Sequence, residues 1–403
     1  MSKIDTAISL YKIDGIRGIV RIIREKVGKA FGKSHRLDIK FLVDKQDVMK
    51  CDFDIAPKTF DTSSKKGPFV FNWVVHPPGR GSGGHQNMFR FIKFLEKAGH
   101  KCRIYLYSAH EKPTIERVRN NISVGYDQLD ATIEWLDGEM EPADGIFATG
   151  WETAYPVYNQ ASNARRFYFV QDFEPFFYTV GTEHKLAENT YSFGFTGITA
   201  GRWLTSKLRD EYDMKCDFYD FGVDNSAYKM TNFENRKKVF FYARPVTPRR
   251  GFELGLMVLE KFHKKNPDVE IIMAGWDVSN YEIDFPYTDL GVSDVAALPE
   301  IYNSCAAALV LSFSNLSLLP LELLSCGVIP VLNRGPNNEM VADNVYIKYC
   351  ESAPGSLAKA LDEAVNRPDQ VEYAKKASES VSAHDWKESG ERFVSIIEGE
   401  MSG

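Results

Sequence analysis

The sequence predicts an α/β protein built as two doubly wound domains, and three observations lead there. At 403 residues the chain exceeds one comfortable core and suits two domains of roughly 150–200 residues each. Apolar strand-like runs alternate with helical patterns along most of its length, the arrangement that builds parallel sheets. Residues 307–333, AALVLSFSNLSLLPLELLSCGVIPVLN, then read as one complete strand–loop–helix–strand unit. In it, a buried strand from Ala307 to Leu311 leads through a polar loop to a helix opened by Pro320 and closed by Gly327. A second buried strand runs from Val328 to Leu332. Proline suits a first helical turn, whose amides lack intrahelical partners, and glycine suits the position just past the end.

Composition narrows the function classes. Charged residues make up 26% and aromatics 13%, a folded and soluble profile with 27 Phe and 19 Tyr to fill cores or stack on ligands. No run of about 18 apolar residues occurs, so no membrane span is expected. The opening MSKIDTAISLYKIDG has no apolar signal core. Cysteines at 51, 102, 216, 305, 326 and 350 are widely spaced without CxxC, which predicts reduced cytosolic thiols rather than disulfides or zinc. The expected location is cytoplasmic.

Net charge is −6 but uneven, with residues 1–40 at +6 and the rest at −12. Within 1–33, apolar residues recur at helical spacing with Lys12, Arg17, Arg21, Arg24, Lys26 and Lys29 between them. Such a basic amphipathic helix suits either an anionic membrane surface or packing on its own protein. The acidic body disfavours nucleic acid. Residues 1–66 are therefore an amphipathic helix and connector, with one expected strand at Asp38 to Val43.

The first domain spans 67–228. Strand Pro68 to Val75 runs into HPPGRGSGGHQNMF, a helix from about Gln86 to Lys97, and a strand at Cys102 to Tyr107. Glycines at the turn allow a ligand or facing loop close to the backbone. A nicotinamide dinucleotide would require an acid at the second strand's tip, where Tyr107-Ser108-Ala109-His110 stands, and no P-loop exists. Further strands are expected at Gly145 to Thr149, Arg166 to Gln171 and Gly197 to Ala200. Gln171-Asp172-Phe173-Glu174-Pro175-Phe176-Phe177-Tyr178 follows a strand directly and falls at a sheet's carboxyl edge. Its carboxylates and rings suit sugar binding or, equally, an acidic loop over a core.

The pattern resets around 225–235, and the second domain spans 229–384. Strand Val239 to Ala243 leads into Arg244-Pro245-Val246-Thr247-Pro248-Arg249-Arg250-Gly251, and a helix follows from Gly251 to Lys264. Guanidinium groups hold phosphate by bidentate hydrogen bonds and keep their charge; the alternative is a solvated basic turn. Then come a strand at Val269 to Ala274, a helix at Leu298 to Cys305 and the 307–333 unit. There the helix start can hold an anion on the amides of Ser317, Leu318 and Leu319. Glu322 either takes a ribose diol or complements the helix dipole. A short strand at Val345 to Ile347 and helices at Ser356 to Val365 and Gln370 to Ser380 complete the domain. The amphipathic helix at 385–403 is positioned to return to the first domain.

Together these motifs resemble GT-B glycosyltransferases of the retaining family 4 type, over most of residues 68–400. Gly83-Gly84-His85 through Gly99-His100, Gly222-Val223-Asp224, Arg244 with Arg249 or Arg250, and Pro320-Leu321-Glu322 through Cys326-Gly327-Val328-Ile329-Pro330-Val331 carry the resemblance. It implies two Rossmann-like domains facing across a cleft, with the donor on Arg244, Arg249, Arg250, Ser314, Ser317, Leu318, Leu319 and Glu322. Acceptor contacts would come from Gly83, Gly84, His85, Asp172 and Glu174. No metal is implied, and the only small-molecule partner is a nucleotide sugar. Two departures stand out. Ser314 occupies the place, eight before Glu322, where the family carries its first glutamate, and Gln171 replaces the family's histidine.

The QDFEPFFY and ARP-x-x-PR runs are most similar to bacterial rhamnosyltransferases. That implies transfer of L-rhamnose from dTDP-β-L-rhamnose to a lipid-linked cell-surface glycan, with peripheral membrane contact through residues 1–33. UDP- or GDP-sugar donors remain alternatives. An inverting enzyme would use Asp172 or Glu174 as base, a same-fold epimerase would release free sugar, and a glycan-binding subunit would not bind nucleotide.

Overall fold

The computed structural model describes residues 39–79, 82–126 and 128–403. The basic helix expected within 1–33 lies outside the described residues, and residues 42–403 form one compact unit. Where a strand was expected at 38–43, residues 39–43 carry no regular structure. The chain instead forms a short helix, α1 (Lys45–Met49), opened by the Asp44 carboxylate.

The first sheet collects β1 (Val70–Val75), β2 (Lys101–Leu106), β3 (Thr132–Trp135), β4 (Gly145–Ala148), β5 (Arg165–Val170), β6 (Thr196–Ala200) and β7 (Cys216–Tyr219). Its order is β3-β2-β1-β4-β5-β6-β7, parallel throughout. The strand order reverses between β1 and β4, so ligands are expected beyond the carboxyl ends of those strands. Strands β3 and β7 had not been expected, because each is only four residues long and partly exposed. The connecting helices are α2 (Gly83–Lys97), α3 (Ile115–Gly125), α4 (Trp151–Asn159), α5 (Thr182–Asn189) and α6 (Arg202–Tyr212). Helix α2 starts three residues before the expected Gln86, capped by Ser82, so Gly83 and Gly84 form its first turn.

The second sheet holds β8 (Lys238–Tyr242), β9 (Glu270–Ala274), β10 (Thr288–Asp289), β11 (Ala307–Val310), β12 (Ile329–Asn333) and β13 (Lys348–Cys350). Its order is β10-β9-β8-β11-β12-β13, again parallel. Its helices are α7 (Phe252–Lys265), α8 (Leu298–Asn303), α9 (Leu319–Ser325), α10 (Pro336–Glu339), α11 (Pro354–Val365) and α12 (Gln370–Glu379). Ala307 sits between Val239 and Ile329, which makes the 307–333 unit the centre of this sheet. Gly327, at φ +70, closes α9 where a side chain would strike Met230. The last strand lies three residues beyond the Val345–Ile347 expected for it.

The final helix, α13 (Trp386–Ser402), returns to the first domain as its amphipathic pattern predicts. Phe393 packs 4.7 Å from Phe91 and joins the stack of Trp73, Phe147 and Phe169. Gly222 makes this crossing possible, since a Cβ there would stand 2.6 Å from the Trp386 amide nitrogen. Among the described residues no helix is long and apolar enough to cross a membrane. The six cysteines are free thiols, and no cluster with metal-ligand geometry occurs among the described residues.

Candidate functional site

The carboxyl ends of the two sheets meet across a seam built from loops that the strands deliver there. From the first domain, β5 ends at Val170 and presents Gln171 to Phe177. From the second, β8 presents Arg244 to Arg250 and β11 presents Leu311 to Leu318. Asp172 is the centre of the contact. Its Oδ1 accepts from the backbone amides of Phe173 at 2.8 Å and Asn315 at 2.7 Å. Its Oδ2 accepts from the Ser314 hydroxyl at 2.9 Å and stands 3.5 Å from Arg249 Nε. The Asn315 amide adds bonds to the carbonyls of Gln171 and Ala200.

These bonds reassign three residues of the expected site. Ser314 is fully buried with its hydroxyl committed to Asp172, so it does not face a donor. Asp172 has both oxygens engaged and is poorly placed to serve as a base or acceptor contact. Arg250 donates to the Ser312 hydroxyl at 2.6 Å and to the Asn315 carbonyl, and so braces the loop. Arg244 and Arg249 are the half-buried arginines of this loop that do not brace Ser312 and Asn315. Arg244 reaches the Gly275 carbonyl and lies near the Tyr242 and Trp276 rings. Arg249 Cζ lies over the Phe177 ring, 3.9 Å from its centroid. Burial lowers its guanidinium pKa, and Asp172 works against that shift.

Glu322 lies in the first turn of α9, where expected. Burial raises its carboxyl pKa to about 8, opposed by a hydrogen bond from Tyr228 and by Arg90 on α2, while Asp224 adds to the rise. No side chain caps α9, so the amides of Ser317, Leu318 and Leu319 begin the helix at the sheet's carboxyl edge without a protein carboxylate or hydroxyl as cap.

On the acceptor side, the His85 ring is a strut. Its Nε2–H donates to the His76 carbonyl at 3.0 Å and its Nδ1 accepts from the Ser82 hydroxyl at 2.9 Å. Burial depresses its pKa to about 4, which keeps the ring neutral. Its expected acceptor contact is therefore replaced by a structural one. Gly84 accepts a hydrogen bond from the Gln171 side chain at 3.0 Å, which ties the start of α2 to the seam loop; Gly83 has open space at its Cα.

The Glu174 carboxylate turns inward to the Trp151 amide at 2.7 Å and the Tyr168 hydroxyl at 2.6 Å, away from the role of a free base. Burial, with the Glu152 charge adding to it, raises its pKa to about 8. Sequence reasoning missed His76 and Glu152, whose Nε2 and Oε2 lie 3.4 Å apart. Together with Glu174 they converge on Gly150. The available signal was position, since His76 directly follows β1 and Glu152 opens the helix after β4.

Two cavities lie away from this seam. One of about 360 Å³ is bordered by Arg90, Lys93, Lys97 and Trp386. The other, about 770 Å³, sits by the amino ends of β5 to β7 near Arg165, Arg166 and Lys215.

This architecture has counterparts among known proteins. Residues 237–362 match the family model described as WsaF, C-terminal domain. The match covers β8 through most of α11, under a third of the chain, and includes Arg244, Arg249 and Glu322. The chain is 33% identical over 370 residues to the O-antigen biosynthesis protein RfbC of Myxococcus xanthus, an alignment that takes in 85% of this chain and spans 29% of that relative's length.

Among solved structures, Anabaena Alr3699/HepE in complex with UDP-glucose superposes at a TM-score of 0.63 with 13% identity, covering 82% of this chain and all of that one. The S. aureus TarM G117R mutant in complex with fondaparinux, alpha-GlcNAc-glycerol and UDP gives 0.66 with 11% identity over 83% of this chain and all of that one. At such identities the likeness concerns the fold. The fold is GT-B.

Proposed function

We propose that the chain is a glycosyltransferase of cell-surface glycan synthesis, taking a sugar from a nucleoside diphosphate donor to a glycan acceptor. The carrying observation is the arrangement on the second sheet's carboxyl edge: Arg244 and Arg249, the uncapped start of α9, and Glu322 in its first turn. The arginines and helix amides suit a diphosphate, whose charge grows as it leaves, and Glu322 suits the ribose diol. Arginines and a helix end supply that neutralisation in a metal-independent reaction. The O-antigen assignment of the Myxococcus relative and the UDP and glycan ligands of the structural neighbours support this class.

The sugar we assign is L-rhamnose, given by dTDP-β-L-rhamnose, on the resemblance carried by the QDFEPFFY and ARP-x-x-PR runs. The acceptor is a lipid-linked glycan brought to the cytoplasmic membrane face, where the basic residues 1–33 would meet anionic lipid. Because Asp172 and Glu174 are both engaged by protein donors, the reading takes front-face transfer with retention, in which the departing phosphate accepts the acceptor proton. The UDP held by the HepE and TarM structures favours a UDP-sugar as the second reading.

Calorimetric titration with dTDP, UDP and GDP without added metal tests both. Selective dTDP binding supports the rhamnosyl reading and directs the transfer assay to dTDP-rhamnose. A UDP preference retains the transferase and changes the donor. Absence of binding to all three overturns the proposal in favour of a glycan-binding subunit.

A further inference from the structure

Three groups of the second domain converge on one carboxylate of the first: the Ser314 hydroxyl, the Asn315 amide and the Arg249 guanidinium all meet Asp172. Arg249 is held by two residues of the opposite domain, with its Cζ over the Phe177 ring and its Nε toward Asp172. That leaves its Nη edge for an anion. Arg244 and Arg250 add like charge beside it, while Asp172 is the carboxylate that opposes the cluster.

The seam is also incompletely satisfied. Asn315 Oδ1 is buried without a hydrogen-bond partner among the described residues, and the buried Arg249 Nε has only the long 3.5 Å ion pair to Asp172.

We propose that Asp172 is a positioning residue that makes docking of the two domains and binding of the donor diphosphate draw on the same guanidinium. The inference rests on the reading of the arginine loop as the donor site. With the domains docked, Asp172 and Phe177 fix the Arg249 plane so that its Nη edge meets the phosphates. The same carboxylate sets one negative charge against the incoming anion. Removing that charge therefore affects the two events in opposite directions: the anion loses a competitor, while the domains lose their common contact. A merely structural role would weaken both together.

The test uses the full chain, UDP and dTDP as probes, calorimetry for affinity, and hydrogen exchange over residues 171–177 for docking. In the wild-type protein, nucleotide bound in the second domain is expected to protect this loop of the first, and binding without that protection overturns the inference. Asp172→Asn, close in shape and lacking the charge, is expected to hold nucleotide within about threefold of wild type or more tightly, and to lose the protection. Ser314→Ala removes a seam bond without altering charge; it is expected to reduce the protection and leave affinity unchanged, and it serves if the first variant fails to fold. Parallel loss of affinity and protection in Asp172→Asn, or protection that survives in both variants, overturns the inference. Failure of the wild-type chain to bind either nucleotide overturns the donor reading instead, and the coupling with it.

Discussion

Under the proposed function, Glu322 gives the donor site a pH dependence that the donor's diphosphate lacks. Its carboxyl pKa is raised from 4.5 to about 8, first by burial, with the Tyr228 hydrogen bond and Arg90 only partly restoring the charged form. In the nucleotide-free protein near pH 7, about one molecule in ten then carries the carboxylate. A ribose diol donates two hydrogen bonds and is held better by a carboxylate than by a carboxylic acid.

Binding through the ionised form therefore pays about 1.4 kcal/mol near pH 7 that has almost vanished near pH 9. The sign follows directly: affinity rises with pH, by up to about tenfold between these values. Calorimetry with dTDP-rhamnose or UDP-glucose reads this cleanly, because a diphosphate diester does not titrate in the range. Glu322→Gln removes the titration and should show a flat profile at weaker affinity. A wild-type affinity that is flat or falls over this range, or a slope that survives in Glu322→Gln, would refute the placement of the ribose on this carboxylate.

Glu174→Gln probes the other raised carboxyl. The native protein keeps that proton up to about pH 8, whereas an ordinary glutamate releases it near 4.5. Wild-type stability should therefore fall as pH rises through that window, by up to about 1.4 kcal/mol per pH unit from this group; urea unfolding at several pH values should find a shallower decline in the variant. Arg249→Ala is expected to weaken nucleotide binding by about 1–3 kcal/mol, read by calorimetry, through loss of charge-assisted hydrogen bonds. Gly222→Ala places a methyl 2.6 Å from the Trp386 amide nitrogen. It should cost about 1–3 kcal/mol of stability in thermal or urea unfolding by forcing α13 off the first domain.

The parts of this molecule that were legible in the sequence are those fixed by local chemistry. Pro320 and Gly327 bracket α9 because their backbone preferences act over single residues, and the apolar runs 307–311 and 328–332 declare buried strands by length alone. Short strands such as Thr132–Trp135 carry too few residues and too little burial to stand out. The candidate site residues divide along the same line. The places of Arg249 and Glu322 were legible because position after a strand or at a helix start sets where a side chain emerges.

What the sequence could not show is which side chain would be used up by a partner distant in the chain. Ser314 and Asp172 are separated by 142 positions, as His85 is from its strut role by a loop whose closure no pattern announces. A carboxylate at a strand's carboxyl edge looks the same in sequence whether it meets a substrate or three donors of a neighbouring domain. Only the second sheet's approach decides, and it turns Asp172 from a candidate base into the residue that joins the two halves of the site.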